Sequence, residues 1–119
     1  TVRMIGVDVP ETAASERDQY LHRQGVSSPT QRQTAKKALH FVIDEAKGKT
    51  VGLRFDGDRR DRHGRTLAYV ILPDGRNLNR LLLEEGLAAV YRRFDFQLKN
   101  EFLTAEKEAR DAGRGMWKK

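Results

Sequence analysis

The stretch VGLRFDGDRRDRHGRTLAYVI, residues 51–71, decides the fold. Val51, Leu53 and Phe55 alternate with Gly52 and Arg54 at its start, and Leu67, Tyr69 and Ile71 alternate at its end. That period of two belongs to strands with one buried face. Between them Asp56-Gly57-Asp58 turns the chain into a loop carrying Arg59, Arg60, Arg62, His63 and Arg65. The segment therefore predicts a hairpin whose long loop concentrates positive charge.

Moving outward, Pro73-Asp74-Gly75 ends the returning strand in a turn. Asn77 is placed to cap a short helix carrying Leu78, Leu81 and Leu82 and ended by Gly86, after which Leu87 to Tyr91 reads as extended. A last helix, about Leu98 to Ala112, presents Leu98, Phe102, Ala105 and Ala109 for burial and stops at Gly113. On the other side of the hairpin, Ala35, Ala38, Leu39, Val42, Ile43 and Ala46 make one apolar helical stripe. Ser28 and Gln31 read as its capping box, Pro29 as its first helical position and Gly48 as its stop. Residues 2 to 7 read as a strand ending where Asp8 and Pro10 begin a loop. Thr12 to Ser27 is polar and without period, which predicts loop. Strands interleaved with three helices predict an α+β fold, and 119 residues predict a single domain, 1–119.

A net charge of +6 and a pI near 9.9 suit an anionic partner. Nucleic acid leads, and an anionic membrane surface falls well behind it because no basic amphipathic helix with a large apolar face stands out. With 38% hydrophobic and 34% charged residues and no apolar run of membrane-spanning length, the expectation is a soluble globular chain without membrane contact. The absence of cysteine excludes disulfides and thiolate metal sites. The chain opens at Thr1 without a charged-then-apolar leader, so a targeting segment is expected upstream if there is one. There is no Gly-rich phosphate loop or nucleophilic serine triad, and His22, His40 and His63 lack zinc-ligand spacing.

Chemistry-bearing residues gather in two segments. In RMIGVDVPET, residues 3–12, Asp8 offers a hard oxygen ligand of the kind Ca²⁺ prefers, or simply begins an Asx turn before Pro10. Glu11 could orient or deprotonate a water beside a cation, or be a surface carboxylate. Arg3, inside an apolar strand, must reach an anion, which could be Asp8, Glu11 or a phosphate. In the hairpin, the planar fork of Arg65 matches two phosphate oxygens as an ammonium does not. Tyr91 with Arg92 and Arg93 makes a base-stacking platform with phosphate contacts, whereas Tyr69, alternating with core residues, reads as packing.

Arg3, Asp8 five residues on, Glu11 three further, the Asp61-Arg62-His63-Gly64-Arg65 hairpin and Trp117 near the C-terminus together resemble the staphylococcal nuclease-like, or thermonuclease, family. The resemblance covers residues 1–12 and roughly 48–117, with 13–30 as a divergent or inserted loop. It implies a five-stranded β-barrel of the OB-fold type with three helices, whose mouth binds nucleic acid. The chain opens at what resembles the third barrel strand, so the family's first two strands and the metal-binding Asp positions on them have no counterpart. The resemblance further implies a Ca²⁺-dependent nuclease hydrolysing DNA and RNA, preferably single-stranded. Asp8 and the carbonyl of Val9, where the family commonly has Thr, would hold the metal, and Glu11 would be the general base. Arg3 and Arg65 would clamp the five-coordinate phosphorus, with Arg65 also helping the leaving oxygen. Arg62 stands where the family commonly has a phosphate-contacting Lys, and His63 where it commonly has Tyr, so both fall among the nucleic-acid-binding positions. Products would carry 3′-phosphate and 5′-hydroxyl ends, and the family analogy favours an extracellular or periplasmic setting. A nuclease-like module that binds nucleic acid or protein without cleaving is the other expectation.

Overall fold

A computed structural model describes residues 2–118. In order along the chain run β1 (Val2–Met4), β2 (Val7–Asp8), α1 (Asp18–Arg23), α2 (Ser28–Ala46), β3 (Gly52–Arg54), β4 (Thr66–Ile71), α3 (Leu78–Glu84), β5 (Ala89–Val90), α4 (Lys99–Ala112) and a final 3-10 turn, Gly115–Trp117. The class is the α+β expected. The described residues form a three-stranded sheet of order β1-β4-β3 and a two-stranded ladder of β2 with β5.

The hairpin predicted from residues 51–71 forms with antiparallel pairing, Leu53 opposite Val70 and Arg54 opposite Tyr69. β1 lies parallel to β4 on its other side, with Arg3 opposite Leu67. The segment expected as one strand, 2–7, is instead two, because the chain changes partner at Gly6. Ile5 N donates to Ala68 O at 3.0 Å as the last link to β4, and Tyr91 N donates to Gly6 O at 2.9 Å as the first link to β5. Gly6 has φ +79°, and a Cβ there would lie 2.5 Å from the Phe96 ring, so the crossover requires glycine.

The core is built by Val7, Tyr69, Leu82, Leu83, Val90, Phe102 and Ala105. Tyr69 packs edge-on to Phe102 at 5.9 Å between ring centroids and donates its hydroxyl to Asp56 at 2.7 Å. Burial and that hydrogen bond push the Tyr69 phenol far above its usual pKa. Asn79 of α3, fully buried, donates to the carbonyls of Ile5 and Ala68 at 3.0 and 3.2 Å and accepts from Val70 N at 3.0 Å. A single amide thereby fixes the strand pair that carries Arg3.

Three sequence expectations need correction. The described residues hold four α-helices, not three, because the supposed loop 12–27 contains α1. At six residues α1 is too short to show a helical period, and it is held by tertiary contacts instead. Leu21 and Val26 pack against Trp117, Met116 and Ala109, and Asp18 pairs with Arg32 of α2 at 2.5 Å. The cap of α2 is Ser27, whose side chain accepts from Thr30 N, so Pro29 falls at the second helical position. Gln31 does not complete a capping box, being buried and donating to the carbonyls of Asp18 and Val26 at 3.1 Å. The stripe on α2 is also divided, with Ala35 and Ala38 buried but Leu39 and Ile43 exposed.

Candidate functional site

The fold brings the two chemistry-bearing segments to one edge. Parallel pairing sets Val2 opposite Thr66, so Arg65, one residue before β4, emerges at the same end of the sheet as Arg3. Antiparallel pairing sets Asp8 opposite Ala89, which places Tyr91, just past β5, beside the crossover at Gly6. The Arg3 guanidinium lies 5.6 Å from the Tyr91 ring centroid, a cation–π contact.

Among the described residues Arg3 forms no ion pair. Its Nη1 donates to the carbonyls of Val7 at 2.9 Å and Met4 at 3.2 Å, which anchors it without neutralising it. Burial pushes its pKa down, Asp8 opposes that shift, and the nearby charges of Arg17 and Arg65 add to it. Three guanidinium groups and Asp8 therefore share one electrostatic neighbourhood. Burial likewise raises the Asp8 carboxyl, against the pull of Arg17 and Arg3.

The acidic loop closes on a residue that sequence reasoning had left without chemistry. Arg17 pairs with Asp8 through one Nη and with Glu11 through the other, the latter at 2.7 Å. Asp8, Val9, Pro10, Glu11 and Arg17 line a recess of about 10 Å³, space for a single water. This donor set suits a hard cation in charge and atom type, since both carboxylates already hold one positive group between them. Its ligand number is low: no group of three or more His, Cys, Asp or Glu able to hold a metal occurs among the described residues. Asp8 and the Val9 carbonyl would leave most of the roughly six to eight Ca²⁺ positions to water or to oxygen atoms from elsewhere.

The basic hairpin is organised by Asp61. Its carboxylate accepts from the backbone N–H of His63 at 2.8 Å and of Arg65 at 2.9 Å, and from Arg65 Nε at 2.7 Å. Asp61 is half-buried, and its desolvation, which raises the pKa, is outweighed by those three hydrogen bonds together, so the pKa is lowered. Holding Arg65 by Nε orients the rest of its fork. Gly64, with φ +79°, completes the turn. Arg59 lies 4.7 Å over the Phe55 ring and Arg60 donates to Gly64 O at 3.1 Å, while Arg62 and His63 stand exposed at the tip.

The segment after β5 divides its cations. Arg92 and Arg93 are both exposed, but Arg92 is tied to the fold, donating to Glu106 Oε1 at 2.6 Å and to the Tyr20 hydroxyl at 2.8 Å. Phe94, overlooked in the sequence, is 67% exposed and lies 5.8 Å from the Tyr91 ring in a tilted pair. An exposed aromatic between Arg93 and Asp95 was the available signal for it. Asp56 accepts from Gln97 N at 2.6 Å as well as from Tyr69, tying this aromatic loop to the hairpin.

No helix among the described residues is long and apolar enough to cross a membrane. The sequence profile described as "Staphylococcal nuclease homologue" matches residues 1–119. An uncharacterized protein of Methanocaldococcus jannaschii is 37% identical over 125 residues, covering 98% of this chain and 60% of that protein. A thermonuclease of Staphylococcus hyicus is 34% identical over 118 residues, covering 98% of this chain and 62% of its own length. Endonuclease YncB of Bacillus subtilis is 35% identical over 122 residues, covering 100% of this chain and 52% of its own length. This chain thus spans between 52% and 62% of the length of these relatives. It belongs to the staphylococcal nuclease homologue family.

Proposed function

We propose that this chain is a metal-dependent nuclease that hydrolyses phosphodiester bonds of single-stranded DNA and RNA at the edge formed by Arg3, Asp8, Glu11 and Arg65. One observation carries the proposal: Arg3 is partly buried and charged yet has no carboxylate partner among the described residues, and it sits beside Asp8, Arg65 and Tyr91. A purely structural arginine in that position would be expected to pair with Asp8, but Asp8 pairs with Arg17. An unpaired guanidinium next to a second, oriented one suits a dianionic or pentacoordinate phosphate. Nuclease names among the relatives support the same class.

In this scheme Glu11 accepts the proton of a water as that water's oxygen attacks phosphorus, and the P–O bond to the sugar oxygen breaks in line with its electron pair leaving on that oxygen, which takes a proton from solvent. Arg3 and Arg65 hold the equatorial oxygens as negative charge accumulates, and Arg65 sits toward the leaving oxygen. Asp8 and the Val9 carbonyl are the residues that would hold Ca²⁺. When bound, the cation would polarise a phosphoryl oxygen. Tyr91 and Phe94 offer stacking faces, and Arg62, His63 and Arg93 offer phosphate and sugar contacts, a combination with little base preference. Arg92 contributes indirectly, by fixing the loop that carries the aromatics.

The test is incubation of the purified chain with a labelled single-stranded oligonucleotide in Ca²⁺ and in chelator. The proposal expects cleavage in Ca²⁺ and none in chelator. Retardation of the oligonucleotide without cleavage in either condition would identify a binding module instead.

A further inference from the structure

Resting on the cation reading just given, we propose that Arg17 is a built-in counter-ion of the Asp8–Glu11 site that competes with the divalent cation and so sets its affinity. The two Nη atoms of one guanidinium engage the two carboxylates assigned to the metal and to the base, Glu11 at 2.7 Å and Asp8 alongside. All three residues line the same recess of about 10 Å³, space for one water while the guanidinium is in place. A cation that binds Asp8 must therefore take over the charge that Arg17 now compensates.

Arg17 is not a loose surface cation that happens to fall there. Its backbone N–H donates to Ser15 Oγ at 3.2 Å, and it immediately precedes α1, where Asp18 is buried. Asp18 accepts from Arg32 at 2.5 Å through its carboxylate and from Gln31 at 3.1 Å through its carbonyl. The neighbouring residue is thus locked to α2, and the Arg17 side chain needs to span only the short distance to the loop of Asp8 and Glu11. The side chain itself remains 52% exposed, so it can swing into solvent when displaced. Exposed ion pairs are individually weak, which makes such displacement affordable for a hard cation.

Calcium binding is measured by calorimetry on the whole chain and on its Arg17→Gln and Arg23→Gln variants. Each removes one unit of charge, but only the first removes the competitor. Loss of two exposed pairs predicts that Arg17→Gln binds Ca²⁺ roughly three- to tenfold tighter than the parent, with Arg23→Gln within about twofold. In the parent, the Nε–Hε resonance of Arg17, assigned by its absence from Arg17→Gln, should shift on Ca²⁺ saturation. Equal affinity in all three proteins, or an Arg17 resonance indifferent to Ca²⁺, overturns the competition while leaving the nuclease proposal standing. Failure of all three to bind Ca²⁺ overturns both.

Discussion

Two arginine–carboxylate clusters flank the β2–β5 ladder, and they differ mainly in burial. On one side Glu106 of α4, with its side chain 2% exposed, accepts from Val90 N at 2.6 Å, from Arg92 at 2.6 Å and from Arg110 at 3.2 Å. Its hydrogen bond holds Arg92 above the usual guanidinium pKa despite partial burial. On the other side Arg17 spans Asp8 and Glu11 with half of its side chain in solvent. The same residue types thus give a fixed joint where water is excluded and a replaceable contact where it is not. A buried carboxylate with three donors has nothing left to offer a ligand. In the proposed scheme, an exposed pair shared by one guanidinium exchanges that partner for a cation.

Substitutions should separate the two clusters, most strongly at the buried one. Glu106→Gln leaves the partly exposed Arg92 and Arg110 without their counter-charge and is expected to destabilise the fold by about 1.5–3 kcal/mol in urea unfolding, the usual worth of hydrogen bonds to a charged group. A small effect there would mean that the joint is as plastic as the rim. At the exposed edge Arg65→Ala should leave the unfolding midpoint close to the parent's while cleavage falls by about 10²–10³. A near-parental rate would remove Arg65 from the chemistry. Asp61→Asn should give a smaller loss, because it frees the Arg65 fork without deleting it. Its pH dependence has a definite sign. The folded-state pKa of Asp61 is depressed below 3.8, so its hold on the hairpin is complete above that value and is lost as pH falls through the lower folded value. The amide shifts of His63 and Arg65 should accordingly titrate below pH 3.8 in the parent. A midpoint at or above 3.8 would show that these hydrogen bonds do not persist in solution.

Weaker effects are expected at the rim of the binding surface. Tyr91→Ala should cost about 1–3 kcal/mol of single-strand affinity, with Phe94→Ala below it because Phe94 lies farther from Arg3 along the loop. Arg62→Ala should reduce the salt dependence of binding by about one phosphate contact. Unchanged affinity and salt slope in these variants would move the nucleic acid to another face.

The legible parts of this molecule were those whose signal is local. The hairpin, α3 and α4 declare themselves by period and turn residues, α2 by its period although its cap and part of its stripe were misread, and the proposed site residues Arg3, Asp8, Glu11 and Arg65 stand out through the family resemblance of their two segments. Helix α1 was not legible, because six residues make less than two turns and Leu21 finds its partner Trp117 almost a hundred positions away. Arg17 was hidden for the same reason: its role depends on where α1 docks. Asp61 stood in plain view inside the recognised hairpin, but only the geometry of its three hydrogen bonds makes it the residue that aims Arg65. In the pair Arg92 and Arg93, identical in sequence terms and both exposed, only the fold shows that the first is tied to Glu106.

The most direct measurement is the single-turnover rate of Glu11→Gln on a single-stranded DNA oligonucleotide in Ca²⁺, taken beside the parent with both proteins shown to melt alike. If Glu11 takes the proton from the attacking water, the rate should fall by about 10²–10⁴ while oligonucleotide affinity is retained. A rate close to the parent's, with the fold and binding intact, would contradict the placement of hydrolysis at the Asp8–Glu11 edge.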